Sequence, residues 1–343
     1  MISIIICSTH TATSPELEAN IAQTIGTSYE IVHIDNSSGR YGICQAYNIG
    51  AERAKGDILC FMHEDVRFHS SHWGERVEAY FSESEIGMLG VAGATLVPAR
   101  GDWRFVNHRY HVSRLIQGFL TPSGHYDVAG QDWKSTGRLQ PVAILDGVWF
   151  CIRKDLFPPL QFDQDLFPSF HLYDSDISMQ VNALGKEIVV CDDIILEHFS
   201  EGTFSESFSV GLDDFLQKWR DSLPLVKGSD VLPSAEEMEK QASIAVSVYQ
   251  KRLETDIVLT EYRRRQKEGN MEGFSQEKQK IVWEWEYKCL KKAIKLPIPM
   301  KRVWQNIMSY PSEYRKRKSQ LIYKFIYYRF FVRPFCWTKA TAK

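Results

Sequence analysis

The chain has 343 residues, 44% of them hydrophobic and 24% charged, with a net charge of −2. That length supplies core for one large α/β domain with an appendage or for two medium domains, and the composition excludes a disordered or fibrous chain. The small net charge hides a segregated one. Residues 301–343 hold eleven Lys or Arg against one acid, Glu313, so this end carries +10 and residues 1–300 carry −12, a polarity that points to an anionic partner.

The opening "MISIIIC" has no basic flank and reads as a first β-strand rather than a signal peptide. A polar helix is expected from about Ser14 to Ile25, then the strand "EIVHI", a helix around Gln45 to Ala54 and the strand "DILCFM". A helix near Trp73 to Phe81 and the run "IGMLGVAG" follow. Strands spaced by helices predict βαβ units and a mainly parallel sheet, whose strand ends open onto a ligand crevice.

From about Pro98 to Gln140 the texture changes to Gly, Trp, Tyr and His without a sustained period, which fits a structured insertion lining a site. Regular patterning returns with "VAILDGVWFCIRKDLF", a helix near Tyr173 to Leu184 and "EIVVCDDIILEHFS". Residues 234–333 read as three or four helices, broken by "KEGN" and by Pro297, Pro299 and Pro311. The domains expected are therefore 1–215, catalytic, and 216–343, helical. Seven scattered cysteines, none in a CxxC spacing, read as reduced thiols in a cytosolic protein. No run of about 18 uncharged apolar residues suggests a transmembrane helix.

Acidic and imidazole groups collect at or just beyond strand ends: Asp35 in "HIDNSS", His63 and Asp65 in "FMHEDV", Asp174 and Asp176 in "YDSDIS", and His198 in "LEHFS". Charges partly withdrawn from water at a strand end need a cation, a partner or bulk water to compensate them.

This ordered set resembles the GT-A glycosyltransferases, most closely the family 2 glycosyltransferases. It is carried by "IIICSTH", "IVHIDNSSG", "AYNIGAERAKGDILCFMHEDV", "ILDGVWFCIRKDLF", "YDSDISMQ" and "LEHFSEGTF" over roughly residues 1–210. The resemblance implies a Rossmann-like mixed sheet flanked by helices, with a C-terminal helical appendage. It also implies metal-dependent, inverting transfer of a sugar from a nucleotide-diphosphate donor, UDP-linked, to a saccharide or lipid-linked saccharide.

Where the family has Asp-x-Asp this chain has His63-Glu64-Asp65, so His63 and Asp65, with His198 arriving later, are the expected metal ligands. A mixed imidazole and carboxylate set favours Mn2+ over Mg2+. Asp35 is implied as the acceptor from the nucleotide base, though an Asx turn would also explain it. Thr9, Arg40 and Asn48 fall in stretches that meet the base and phosphates, while Asp146 and Gly147 fall where the sugar binds. Trp149 could stack on a sugar or sit in the core. Asp174 matches the family's general base, with Asp176 in support, and either could instead cap the helix that follows. The position before Asp174, usually Glu, is Tyr173.

"YRKRKSQLIYKFIYYRFFVRPF" gathers Arg315, Lys318, Arg329 and Arg333 on one side of a helical projection among aromatic residues. Residues 312–337 thus suggest peripheral contact with a membrane surface; the resemblance implies its inner face, in an otherwise cytoplasmic enzyme of polysaccharide biosynthesis. Nucleic acid is not an expected partner. Two further readings are a sugar nucleotidyltransferase and a non-catalytic nucleotide-sugar-binding module.

Overall fold

The structure, a computed structural model, describes residues 1–120, 126–129, 138–200, 202–228, 232–294 and 300–327. The first elements are β1 (Ile2–Ser8), α1 (Pro15–Thr24), β2 (Tyr29–Asp35), α2 (Ile43–Arg53) and β3 (Ile58–Met62). Next come β4 (Val66–Phe68), α3 (Trp73–Tyr80), β5 (Ile86–Gly90), β6 (Ala92–Ala94), β7 (Leu96–Val97), β8 (His111–Ser113), β9 (Leu115–Leu120) and β10 (Tyr126–Ala129). Beyond these lie β11 (Leu139–Pro141), β12 (Ile144–Leu145), β13 (Trp149–Arg153), α4 (Tyr173–Ala183), β14 (Glu187–Cys191) and β15 (Leu196–His198). The chain ends through α5 (Glu206–Lys218), β16 (Leu225–Val226), α6 (Ala235–Glu268), α7 (Gln276–Ala293), α8 (Met300–Ser309) and α9 (Arg315–Ile326).

The chain divides into two compact units. The first comprises residues 1–115, 133–198 and 205–251. At its centre is a seven-stranded sheet of order β11-β14-β5-β13-β3-β1-β2. β1 is apolar on both sides because both sides are covered. Ile2, Ile4 and Ile6 join Leu17 and Ile21 of α1 in one cluster. On the other face α2 lies so close that a Cβ on Gly50 would come within 2.3 Å of Ile5. The helix α1 begins where Ser14 accepts the Leu17 N–H on its hydroxyl, at 3.2 Å.

The sheet is mixed rather than mainly parallel. β1 pairs in parallel with β2 and β3, and β5 with β14, but β13 runs antiparallel between β3 and β5, and β11 antiparallel to β14. No βαβ crossover leads into β13. It follows the irregular insertion, so nothing in the chain's path forces it parallel.

The first unit also reaches beyond the boundary near residue 215. Gln241 of α6 accepts the Asn107 N–H at 2.8 Å, and Ala245 packs with Leu96, Val106 and Tyr110. The start of α6 therefore shares the core of the insertion.

The second unit comprises residues 116–132, 199–204 and 252–343. It contains the antiparallel pair β9 and β10 and a helical cluster in which Leu290, Ile294, Val303, Ile307 and Tyr310 bury Leu321 and Phe325 of α9. Lys318 donates to the carbonyls of Met308 and Tyr310 at 2.6 and 2.9 Å, closing the end of α8. It does not join Arg315 on an open face, and Arg329 and Arg333 lie outside the described residues. Among the described residues no helix is long and apolar enough to cross a membrane. The described cysteines are free thiols, buried except for Cys7, which is half-buried; Cys336 lies outside the described residues.

Candidate active site and metal centre

β3 and β4 are joined by the three residues His63, Glu64 and Asp65, and this turn sends its side chains two ways. Glu64 points to the end of β1, accepting from the Ser8 hydroxyl, from the Thr9 hydroxyl at 2.8 Å and from the Thr9 N–H at 3.2 Å, with His10 Nδ1 3.2 Å away. Partial burial alone would raise its pKa, but the bonds from Ser8, His10 and Thr9 outweigh that and hold it below the ordinary value. Glu64 thus fixes the loop that carries Thr9.

His63 and Asp65 turn the other way and meet His198. The register of β15 on β4, with His198 opposite Val66, delivers the second imidazole. His63 Nδ1 lies 3.3 Å from His198 Nε2, which is 3.4 Å from Asp65 Oδ1, and the remaining edge, His63 Nδ1 to Asp65 Oδ1, is 4.0 Å. One ligand atom from each residue fits within 4.8 Å of the others. Ligands about 2.1 Å from an ion at roughly 90–110° would be about 3.0–3.4 Å apart, so two edges already suit a cation and the third needs a small closure. Two nitrogens and one oxygen form a donor set that suits a divalent cation. Burial, with His198 alongside, draws the His63 pKa down to about 4, so its ring is neutral at pH 7, the form that can ligate.

The start of α4 lies beside this trio. Leu172 takes φ +64° immediately before it, a left-handed conformation that costs a buried leucine about 1–2 kcal/mol. Tyr173 then places its hydroxyl 2.9 Å from His63 Nε2 and 3.2 Å from the Gly147 carbonyl. A Cβ on Gly147 would fall 2.1 Å from that hydroxyl, so a side chain there would displace it.

Asp174 is 2% exposed and accepts the Gly147 N–H at 2.9 Å and the Ser175 N–H at 2.8 Å. It also binds Arg104, whose guanidinium reaches Asp102 at 3.1 Å and Asp146 at 3.4 Å. Burial pushes the Asp174 carboxyl up, with Arg104 opposing the rise. For Arg104, burial disfavours the charge, but the three carboxylates outweigh it and hold its pKa above the ordinary value. Asp146 is more open, with 30% of its side chain exposed.

The structure brings His63, Asp65, His198, Tyr173, Asp174, Asp146 and Gly147 into one neighbourhood. Both oxygens of Asp176 are engaged: Lys218 and Trp219 donate to one, each at 2.8 Å, and Gln180 to the other at 2.7 Å. Asn48 is engaged at both ends of its amide with the Phe162 backbone, at 2.9 and 3.0 Å. Asp35 is exposed at the end of β2 and accepts the Ser37 N–H at 2.9 Å, which lowers its pKa. Arg40 lies over the ring of Tyr41, 5.1 Å from its centroid. Trp149 is fully buried, packed against Phe68 and Trp73.

Sequence reasoning missed Arg104, because it lies in the aperiodic insertion, and it took Tyr173 for a mere departure. It also missed Phe170, 52% exposed with its ring 5.4 Å from that of His63. The only signal for Phe170 was its place three residues before Tyr173.

The family model described as "Glycosyltransferase like family" matches residues 3–200. No curated protein matches the chain in sequence. Among solved structures, S. aureus TarS 1–349 is similar at TM-score 0.41 and 12% identity, over 95% of this chain and 88% of that one. GalNAc-T7 with UDP, GalNAc and Mn2+ gives 0.40 and 15% over 58% of this chain, which spans 44% of that one. A197 from STIV gives 0.33 and 15%, over 59% and 87%.

Proposed function

Because the chain belongs to the glycosyltransferase-like family, we propose that it moves a sugar from a nucleotide-diphosphate donor, UDP-linked, to a saccharide or lipid-linked saccharide hydroxyl with inversion. One observation carries this reading: His198, 135 residues beyond His63, joins His63 and Asp65 so that one ligand atom of each lies within 4.8 Å of the others. A divalent cation there, Mn2+ in preference to Mg2+, would neutralise charge growing on the departing diphosphate. Asp35 receives a hydrogen bond from the base, the loops at Thr9 and Arg40 border the phosphates, and Asp146 and Gly147 face the sugar. Asp174 takes the proton of the attacking hydroxyl, while Asp176 fixes the first turn of its helix through Lys218 and Trp219.

The test is release of UDP from a panel of UDP-sugars with Mn2+ and an acceptor. Sugar-dependent UDP release, lost in His198→Ala, is expected. Pyrophosphate released from a nucleoside triphosphate and a sugar 1-phosphate would assign the nucleotidyltransferase reading instead, and no product with any of these substrates would leave a binding module.

A specific observation favours a second assignment of the base. Asp174 is sealed and its oxygens are engaged, whereas Asp146, beside it on Arg104, is about a third exposed. Asp146 then accepts the proton, and Asp174 anchors Arg104 and Gly147.

For residues 312–337 the proposed partner is an anionic membrane surface. The outward side of α9 carries Arg315, Lys316, Tyr323 and Lys324 as exposed residues; residues 328–337 lie outside the described ones. Such a side sets tyrosine at the headgroup boundary with cations beside it. Leu321 and Phe325 belong to a core, so truncation would damage the fold and charge reversal is the cleaner probe. Lys316→Glu with Lys324→Glu should weaken binding to phosphatidylglycerol vesicles in low salt; undiminished binding would retire the idea.

A further inference from the structure

Tyr173 stands where the resemblance would place an acid, and its hydroxyl lies between two groups of opposite character, with the Tyr47 hydroxyl, which donates to the Met62 carbonyl at 3.5 Å, as a further neighbour. One is the Gly147 carbonyl, which can only accept, at 3.2 Å; the other is His63 Nε2, at 2.9 Å. Gly147 is buried, and a buried carbonyl without a donor costs free energy comparable to a lost hydrogen bond. A phenol has one proton. Given to Gly147, it leaves the phenolic oxygen as an acceptor toward His63, so Nε2 must carry the ring proton. In a neutral imidazole Nδ1 then holds the lone pair, and Nδ1 is the atom that faces His198 at 3.3 Å and Asp65 at 4.0 Å.

We propose that Tyr173 is a positioning residue that locks His63 in its Nε2-protonated form through a Gly147 C=O···H–O–Tyr173···H–Nε2 chain, presenting the Nδ1 lone pair to the space shared with Asp65 and His198. This rests on the reading of that space as a cation site. The same peptide region is gripped twice by the start of α4, with Asp174 taking the Gly147 N–H and Tyr173 its carbonyl. The sugar-facing glycine and the metal-facing histidine therefore answer to adjacent residues of one helix turn. Metal-ligating histidines commonly owe orientation and basicity to such an outer partner, whose loss costs about 10–100-fold in metal affinity.

The experiment reads tautomer and ion affinity separately. Nitrogen-15 spectra of the metal-free protein, labelled in histidine, should show His63 with a protonated Nε2 and a pyridine-type Nδ1. Tyr173→Phe keeps the ring packed edge-on against Tyr47 but removes the hydroxyl, so the ring should no longer be confined to that form. Titration of Mn2+ followed by electron paramagnetic resonance should then show affinity at least about tenfold weaker than in the parent. Gly147→Ala, whose methyl would displace the hydroxyl, should produce both changes.

A parent His63 protonated on Nδ1, or a Phe variant with unchanged tautomer and unchanged Mn2+ affinity, would overturn the proposal. Should the parent take up no Mn2+, the metal reading falls by itself. The lock still stands or falls by whether the spectrum changes in Tyr173→Phe.

Discussion

Two clusters of charge lie side by side at the open ends of the central sheet, and they solve the same electrostatic problem differently. Around Arg104, three aspartates already have their cation: Asp102, Asp146 and Asp174 each approach the guanidinium, and two of them are almost fully buried. Around His63, the acid is single, the other two groups are imidazoles, and no Lys or Arg is among the three. The first arrangement has its cation within the protein, so it holds backbone in place. The second gathers two imidazoles and a carboxylate, a set that suits a site completed by an ion from solution.

Breaking the first cluster should have the largest effect. Arg104→Met would leave two sealed carboxylates uncompensated, and removing one partner of a buried ion pair typically costs about 3–5 kcal/mol. Urea denaturation at pH 7 should show a loss of that order, and the loss should shrink in acid as the carboxyls protonate. A change below about 1 kcal/mol would mean that water reaches the aspartates and that the cluster is not a scaffold.

The two assignments of the base separate by a paired measurement. If Asp174 is the base, Asp174→Asn should lower turnover by about 10²–10⁴-fold with nucleotide affinity kept, and Asp146→Asn should act mainly on donor binding. If Asp146 is the base, Asp146→Asn should lower turnover at unchanged melting temperature, whereas Asp174→Asn should lower the melting temperature as well, since it weakens the hold on Arg104.

The second cluster is sharpened by ligand linkage. Mn2+ at about a hundred times its dissociation constant should stabilise the protein by about 2.7 kcal/mol. His198→Ala should abolish that gain, measured against the variant's own metal-free stability. A gain that survives in the variant would move the ion elsewhere.

The sheet was legible because its cause is local. Alternation of β-branched runs with helical spacing reports burial directly, and the strand-end position of Asp35, His63, Asp65 and His198 followed from it. The direction of β13 was not legible, since strand direction depends on the path of an insertion that has no period. Arg104 was hidden for the same reason: it reaches Asp174 across 70 residues, and no spacing rule encodes that. Tyr173 illustrates a different limit. A tyrosine at a position associated with an acid looks like loss, until its hydroxyl is seen between a carbonyl and an imidazole.

The smallest effect expected is the change in the pH dependence of stability on removing one buried histidine, and its sign follows from two such groups. Burial, aided by His198, brings His63 to about 4, and burial with Arg104 nearby brings His171 to about 4. An unfolded chain protonates histidine near 6.5. Between pH 6.5 and about 4 the unfolded state therefore binds more protons than the folded one, so stability is fully present above 6.5 and is lost as pH falls toward 4. The slope for a well-covered histidine approaches about 1.4 kcal/mol per pH unit, and it is less for His171, which water partly screens. Asp102 and Asp174, held above their ordinary values by burial, act in the opposite sense at the acid end of this window. Comparing the parent with His171→Gln at pH 7, 6 and 5 cancels that opposition, and the variant should lose stability less steeply. Added Mn2+ should raise the parent's curve by a nearly constant amount between pH 7 and 5, where the His63 ring is already neutral, and that gain should fall away as pH drops toward 4, where ion and proton compete for the ring; a gain that persists undiminished below pH 4 would separate the ion from His63.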